Sequence, residues 1–581
     1  MEGIVAVGGM AMAKAYLIKE LPAVEAKHSE NIAAEIEKLY IAKENCANQL
    51  KQIINLVSSN LDAESGEIFD FQLLMLEDKD FMGKIEHILK EDQVNCEYAV
   101  ELAAKQYMDY LESLDNAYLN ERSADIFDLS KRLIRILLGD ESFGIENMQE
   151  AYIAVAVDFT PSQIAEMNRN QVKGLVLEKG GMSSHSVILA RSMGIPCMIG
   201  VTGITQEMMR GDFIMIDSKN AQVIINPNAE QQERVFRFDA DAICEREALQ
   251  IYKSMETKTK DGFPMKVYAN ITSKSETEDL KAQGGEGVGL LRTELLYMTE
   301  KTAPSEEKQF QIYSAIAKSL SDRPLIIRTL DVGGDKEIPY LEIEKEENPF
   351  LGYRAIRYCI DHPDLFKSQI AAILRAGAVG NVQMMVPMVA SLSELRQIKK
   401  LVQEVQSELR KDGISYAPEM QIGMMVETPA AVVMADRFAA EADFFSIGTN
   451  DLTQYLFAAD RMNKKVAHLN SYFQPALIRA MKFVCDSAHK AGIEVDICGQ
   501  AGEILELIPL WIAMGINNLS VSIPSITKVR RAICESNRKD CSDRLKKVME
   551  MNTAEEVKQF LCEYLSRKGE SYADKTTACY K

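Results

Sequence analysis

The chain has 581 residues, 47% of them hydrophobic, 26% charged and 7% aromatic; this is enough apolar material for several cores and excludes a fibrous or disordered character. A formal charge of −20 excludes a nucleic-acid binder, because a phosphate backbone needs clustered Lys and Arg. No stretch reaches the roughly 20 apolar residues that span a bilayer, and Met1 to Leu21 has neither a basic leader nor a long apolar core, so a cytoplasmic protein without direct membrane insertion is expected.

In chain order, Ile4 to Val7 reads as a short strand. From about Ala23 to Gly139 apolar residues recur at spacings of three and four with almost no Gly or Pro, as in Ile126-Leu129-Leu133-Ile134-Leu137-Leu138, and this predicts an all-α helical bundle. The acidic excess sits here, with 26 Asp and Glu against 12 Lys and Arg between Glu25 and Met148. Such a surface aids solubility or steers a basic protein partner. Strand-like runs resume at 152–157, 174–177, 197–199, 213–216 and 223–225, so the bundle reads as an insert in an α/β domain. A charged helical stretch from Ala229 to Met255 follows as a connector. The expected division is 1–22 plus 146–228 for the α/β domain, 23–145 for the inserted helical subdomain, 229–258 for the linker and 259–581 for the last domain.

From Lys266 onward eight short apolar runs alternate with helical segments, at 266–270, 287–291, 325–329, 382–387, 421–426, 443–447, 494–498 and 518–522. The count and length predict a (β/α)8 barrel; a doubly wound open sheet has a similar local pattern. Polar residues close the runs: Arg292, Arg328, Glu427, the stretch Gly448 to Asp451, and Cys498. A barrel brings its strand ends to one rim, where such residues converge.

Chemistry also gathers around His185, in Glu178-Lys-Gly-Gly-Met-Ser-Ser-His-Ser-Val-Ile-Leu-Ala-Arg191. Glycines end a strand there and a helical periodicity begins. Free N–H groups and the hydroxyls of Ser183, Ser184 and Ser186 are expected to hold phosphoryl oxygens, with neutral imidazole as the nucleophile. His28, His87, His362, His468 and His489 lack such neighbours and are read as structural, and Met384, Met385, Met424 and Met425 as core. The eleven cysteines contain no C-x-x-C pair, which points to reduced thiols.

The segment Gly180 to Arg191 resembles the G-G-x-T-S-H-x-x-I-x-A-R motif of the phosphoenolpyruvate-utilising enzymes, with Ser183 in place of the usual threonine. Further motifs resemble the same family in the same order: Gly-Leu-Leu-Arg292-Thr-Glu294, Arg328-Thr-Leu-Asp331-Val-Gly-Gly-Asp-Lys336, Gly-Tyr-Arg354, Glu427-Thr-Pro, Gly-Thr-Asn450-Asp451, Asp460-Arg461 and Cys498-Gly. In the helical insert, Leu76-Glu-Asp78 and the run at 118–126 resemble Enzyme I of the sugar phosphotransferase type in particular. The resemblance implies a phosphohistidine α/β domain with an inserted carrier-binding bundle, followed by a (β/α)8 barrel that binds phosphoenolpyruvate and forms a homodimer. It implies that His185 takes the phosphoryl group on Nε2 and passes it to the carrier HPr or a paralogue, releasing pyruvate. By the same likeness Arg292, Arg328, Asn450, Asp451 and Arg461 bind substrate, Lys336 and Arg354 support the phosphoryl group, Glu427 and Asp451 hold Mg2+, and Cys498 protonates the enolate. These types suit the chemistry: Arg forks match phosphate and carboxylate, and hard oxygens suit Mg2+.

Some positions depart from the family pattern. Gln500-Ala-Gly-Glu503 is a shortened loop after Cys498-Gly, Gln72 stands where a histidine is usual, Leu469-Asn470 replaces Leu-Tyr, and Val7-Gly8-Gly9 replaces Ser-x-Gly. These bear on carrier choice and rate more than on the reaction. A phosphoenolpyruvate synthase or pyruvate phosphate dikinase needs a large ATP-binding domain, for which no room exists before His185. A non-catalytic scaffold has no need of the retained histidine, arginines and carboxylates.

Overall fold

The structure, a computed structural model, describes residues 1–567 apart from 19–22, 61–62, 114–116, 140–149, 161–162, 165–166, 169–170, 182–184, 193, 210, 301, 335, 337, 345, 462 and 464. Two compact units divide the chain, one built on Met1–Ile243 and the other on Cys244–Asp574.

The first unit contains five helices, α1 (Ile32–Asn60), α2 (Ala63–Glu77), α3 (Lys79–Asp92), α4 (Cys96–Ser113) and α5 (Ala117–Leu138). Their apolar stripes meet in one core that includes Leu39, Leu50, Phe81, Ile85, Val100 and Leu133. Asp78 starts α3, its carboxylate accepting from the N–H groups of Asp80 and Phe81 at 2.9 and 2.7 Å. Helix begins later than the periodicity predicts, at Ile32, because residues 23–31 run beside the α3–α4 turn and His28 bridges Val94.

The same unit holds a seven-stranded sheet, β1 (Ile4–Val7), β2 (Met10–Leu17), β3 (Tyr152–Ala156), β4 (Val172–Leu177), β5 (Cys197–Ile199), β6 (Phe213–Asp217) and β7 (Gln222–Ile225), in the order β1-β5-β4-β3-β2-β6-β7. Strand β2 is the one element of this sheet that the sequence reading lacks. Its Met-Ala-Met-Ala-Lys-Ala pattern is poor in β-branched residues, and alanine favours helix over strand. Tertiary packing overrides that preference: β2 lies between β3 and β6, and Ala11, Ala13 and Ala15 are buried on the face that packs against Ile153, Ile214 and Ile216. Strands β2 and β3 pair in parallel, so the whole bundle is a crossover between neighbouring strands. Helix α6 (His185–Ser192) follows β4 through Gly180, whose φ of +111° suits only glycine. Helix α7 (Ala229–Gln250) with a short 3-10 turn at Ile251–Lys253 occupies the expected connector.

In the second unit strands β8 (Lys266–Ile271), β9 (Val288–Leu291), β10 (Leu325–Arg328), β11 (Val382–Val386), β12 (Ile422–Val426), β13 (Phe444–Ile447), β14 (Glu494–Ile497) and β15 (Asn518–Val521) form a closed parallel barrel. The pairing of β15 with β8 closes it, which removes the open-sheet alternative. Alternation along each strand sends neighbours to opposite sides. Met384 and Met424 join the outer core beneath the helices, while Met385 and Met425 join Leu290, Ile326, Phe444 and Cys498 in a layer inside the barrel.

Candidate active site

The carboxyl ends of the barrel strands surround a cavity of about 380 Å3. Arg292 follows β9, Arg328 ends β10, Glu427 follows β12, Cys498 follows β14, and Asn450 with Asp451 lies in the first turn of the helix Thr449–Phe457 after β13. Lys336, Arg354 and Arg461 come from the longer loops. All nine barrel residues named from the sequence line this one cavity.

Their charges are organised by two carboxylates to which the sequence reading gave no role. Glu294 and Asp331, 4% and 1% exposed, form the hub. Glu294 pairs with Arg328 and, at 2.5 Å, with Lys336. Asp331 meets Arg328 at 3.2 Å and Lys336 at 3.3 Å, and takes two bonds from Arg354 at 2.9 and 3.1 Å. Burial opposes ionisation of both carboxyls. The cations around them outweigh it and hold both below the usual range, Glu294 by Arg328 and Lys336, Asp331 by Lys336, Arg328 and Arg354. The signal was present in the sequence, since Glu294 lies two residues after Arg292 and Asp331 three after Arg328. Spacing alone does not say which arginine each one faces.

Asp451 accepts from Arg461 at 3.4 Å and lies 3.7 Å from Arg354. Both guanidinium groups stand 5.9 Å from the centre of the Phe350 ring, within cation–π range. Arg292 differs from the others: it is exposed and, among the described residues, has no ion-pair partner. It is a cation already free to meet an incoming anion.

Glu427 is 1% exposed, and one of its oxygens accepts from the Met388 N–H at 2.6 Å. Burial pushes its carboxyl up to about 8, and the neighbouring Asp451 and Asp331 push the same way. Two crowded hard-oxygen carboxylates fit a divalent cation, which would relieve their repulsion. No group of three or more His, Cys, Asp or Glu is disposed to hold a metal among the described residues; Mg2+ commonly takes one or two carboxylates and fills the rest of its shell with water and substrate oxygens.

Cys498 is buried, its thiol directed to the Ile447 carbonyl at 3.7 Å. Burial pushes it up to about 12, so it keeps its proton through the neutral range. In the shortened loop beside it, the Gln500 N–H donates to Asn450 Oδ1 at 3.0 Å, and the Tyr472 hydroxyl stands 2.9 Å from both Asn450 Oδ1 and Gln500 Oε1. These contacts turn the carbonyl side of Asn450 away and leave its NH2 group as the free end. Tyr472 and Gln500 were not read as site residues, because nothing in their spacing places them beside Asn450.

In the first unit His185 opens α6, as the motif predicts. The side chain of His185, together with Ser183 and Ser184, lies outside the described residues. Ser186 corrects the sequence reading: it is buried, and its hydroxyl donates to the Phe159 carbonyl at 2.6 Å, so its proton is not available to a phosphoryl oxygen. Gln72, in the place of a histidine, is buried in the bundle and donates to Asp128 at 3.0 Å. His362 and His489 have structural partners, the carbonyls of Tyr358 and Gly515 at 2.9 and 3.0 Å.

Comparison with known families places this geometry. Residues 2–122, 148–221 and 246–538 match the models described as the N-terminal, mobile and PEP-binding domains of PEP-utilising enzymes, which defines the class. The phosphoenolpyruvate-protein phosphotransferase of Geobacillus stearothermophilus is 39% identical over 565 residues, covering 96% of this chain and 97% of that protein. The protein of the same description from Listeria monocytogenes serovar 1/2a is 38% identical, covering 97% and 99%. The chain belongs to the phosphoenolpyruvate-protein phosphotransferase family. Among solved structures, one described as Enzyme I is 29% identical, covers 41% of this chain and 99% of that chain, and has a TM-score of 0.37.

Proposed function

We propose that this protein takes the phosphoryl group of phosphoenolpyruvate onto its own His185 and passes it to a histidine of HPr or a paralogous carrier, releasing pyruvate. The observation that carries this reading is the charge of the barrel cavity. Five cations, Arg292, Arg328, Lys336, Arg354 and Arg461, face four carboxylates, Glu294, Asp331, Glu427 and Asp451, a surplus of one positive charge once a bound cation holds Glu427 ionised. Phosphoenolpyruvate carries roughly three negative charges when fully ionised. One Mg2+ held by Glu427 and Asp451 cancels two of them, so substrate and metal together balance the cavity.

Substrate carboxylate and phosphate are held by Arg292, Arg328, Arg461 and the NH2 group of Asn450, with Lys336 and Arg354 beside the phosphoryl oxygens. When bound, Mg2+ neutralises charge on the phosphoryl oxygens. His185 Nε2 attacks phosphorus in line, the N–P bond forms and the P–O bond to the enol breaks. The electron pair left on the enolate takes a proton at carbon from the Cys498 thiol, which yields pyruvate and makes the reverse transfer unfavourable. The carrier histidine then attacks the same phosphorus, the N–P bond to His185 breaks to regenerate neutral imidazole, and the Cys498 thiolate regains its proton from water. The acidic excess of the bundle, with apolar side chains such as Ile41 and Leu74 exposed on it, supports its role in docking the carrier. The cytoplasmic location and the barrel-mediated homodimer follow from the family resemblance.

The test is labelling with phosphoenolpyruvate carrying 32P in its phosphoryl group, in the presence of Mg2+. The chain should acquire one acid-labile, base-stable phosphate and release one pyruvate, His185→Ala should acquire none, and HPr should discharge the label. Labelling from ATP, or none from phosphoenolpyruvate, overturns the reading.

A further inference from the structure

The barrel has a second cavity, of about 270 Å3, at the amino-terminal ends of its strands. An apolar layer formed by Leu290, Ile326, Met385, Met425 and Phe444 lies between it and the upper cavity. Strand alternation creates both: on β14 the residues Glu494, Asp496 and Cys498 share the inward side, so one strand carries a thiol to the upper cavity and two carboxylates to the lower.

Acceptors dominate this lower cavity. Four carboxylates, Asp322, Asp443, Glu494 and Asp496, share it with one ammonium group, that of the exposed Lys266. Asp443 is committed to the Ile422 N–H at 2.6 Å. Asp496 is only 4% exposed; its Oδ1 accepts from Asn518 Nδ2 at 2.6 Å, and its Oδ2 has no hydrogen-bond partner among the described residues. The Tyr268 side chain is 5% exposed, and its hydroxyl is likewise without a partner among the described residues. Burial, with Glu494 adding to it, pushes the Asp496 carboxyl up to about 8, as befits a carboxylate short of counter-charge.

Both atoms face the cavity rather than the packed interior, so water or a ligand must complete them. The ligand must bring N–H donors and positive charge. A neutral polyol brings no positive charge to the carboxylates, and a hydrated metal ion makes no use of the apolar part of the lining. The walls supplied by Phe444 and Pro324 are apolar, which suits an alkyl chain, and the Phe444 and Tyr268 rings favour a nearby cation. We propose that this lower cavity is a binding site for a small aliphatic amine, its ammonium group donating to Asp496 Oδ2 and to the Tyr268 hydroxyl and its alkyl chain lying against Phe444.

Calorimetric titration of the full chain with 1,4-diaminobutane at low ionic strength tests this. One saturable site per chain is expected, weakened about tenfold or more in Asp496→Asn and about threefold in Tyr268→Phe. Tyr268→Phe removes only the unpartnered hydroxyl, so it decides the matter if Asp496→Asn fails to fold. No saturable uptake by the unaltered chain, undiminished affinity in the folded variants, or displacement of the amine by an equal concentration of Mg2+ overturns the proposal. Phosphoenolpyruvate labelling of the same samples reports separately on the transferase reading.

Discussion

Arg292 and Glu294 stand two residues apart at the end of β9 and behave in opposite ways. Glu294 is a buried counter-charge for Arg328 and Lys336, with its second oxygen unpartnered among the described residues. Arg292 is exposed and pairs with nothing described. Glu294→Gln should therefore lower the stability of the barrel by about 3 kcal/mol, because it strands buried positive charge. Arg292→Ala should leave stability within about 0.5 kcal/mol and lower kcat/KM for phosphoenolpyruvate by roughly 100-fold or more. Denaturant melts beside steady-state kinetics separate the two, and equal stability losses contradict the assignment. Cys498 makes a second prediction at this scale. A thiol that burial pushes up to about 12 keeps its proton at pH 8. Iodoacetamide at pH 8 should alkylate the exposed Cys244 at least about 100-fold faster than Cys498, as read by peptide mapping; comparable rates count against Cys498 as a proton reservoir.

At the level of the element, strand ends aim the chemistry and glycine makes room for it. Gly448 links β13 to the helix bearing Asn450 and Asp451, and a Cβ there would stand 2.7 Å from Glu427 Oε2. Its φ of −83° is open to any residue, so the cost of Gly448→Ala falls on the carboxylate rather than on the backbone. The Mg2+ concentration for half-maximal pyruvate release should rise about tenfold or more, with fold stability reduced by less than about 1.5 kcal/mol. An unchanged Mg2+ requirement removes Glu427 from the metal site. The barrel strands were legible because each is an apolar run bounded by polar residues; β2 was not, because its buried face is built from alanine. Ser186 was misread for a related reason. Successive positions on a helix are turned about 100° from each other, so adjacency in sequence does not make two side chains share a site, and the Ser186 hydroxyl finds the Phe159 carbonyl.

Across the whole molecule, two units with separate cores divide the work. The barrel holds the cation-rich cavity and the other unit holds His185 and the acidic bundle; the proposed reaction therefore requires the imidazole to meet both the cavity and the carrier in each cycle. Calorimetry should resolve two unfolding transitions. Phosphoenolpyruvate with Mg2+ at about 100 times its Kd should raise the barrel transition by about 4 °C and leave the other within about 1 °C. A single transition, or equal shifts, argues against independent units.

The order of motifs, eight apolar runs and the residue types at their ends belong to the sequence by itself, because strand period and side-chain chemistry are local properties. From them came the barrel, the family resemblance, and the residues from Arg292 to Cys498 that meet in one cavity. Closure of the barrel, the pairing of Glu294 and Asp331 with particular cations, the Tyr472–Asn450–Gln500 contacts and the acidic cavity at the opposite mouth were decided only in three dimensions. Each depends on which residues from distant strands share a layer, and on how far burial lowers the local dielectric, neither of which a linear spacing contains.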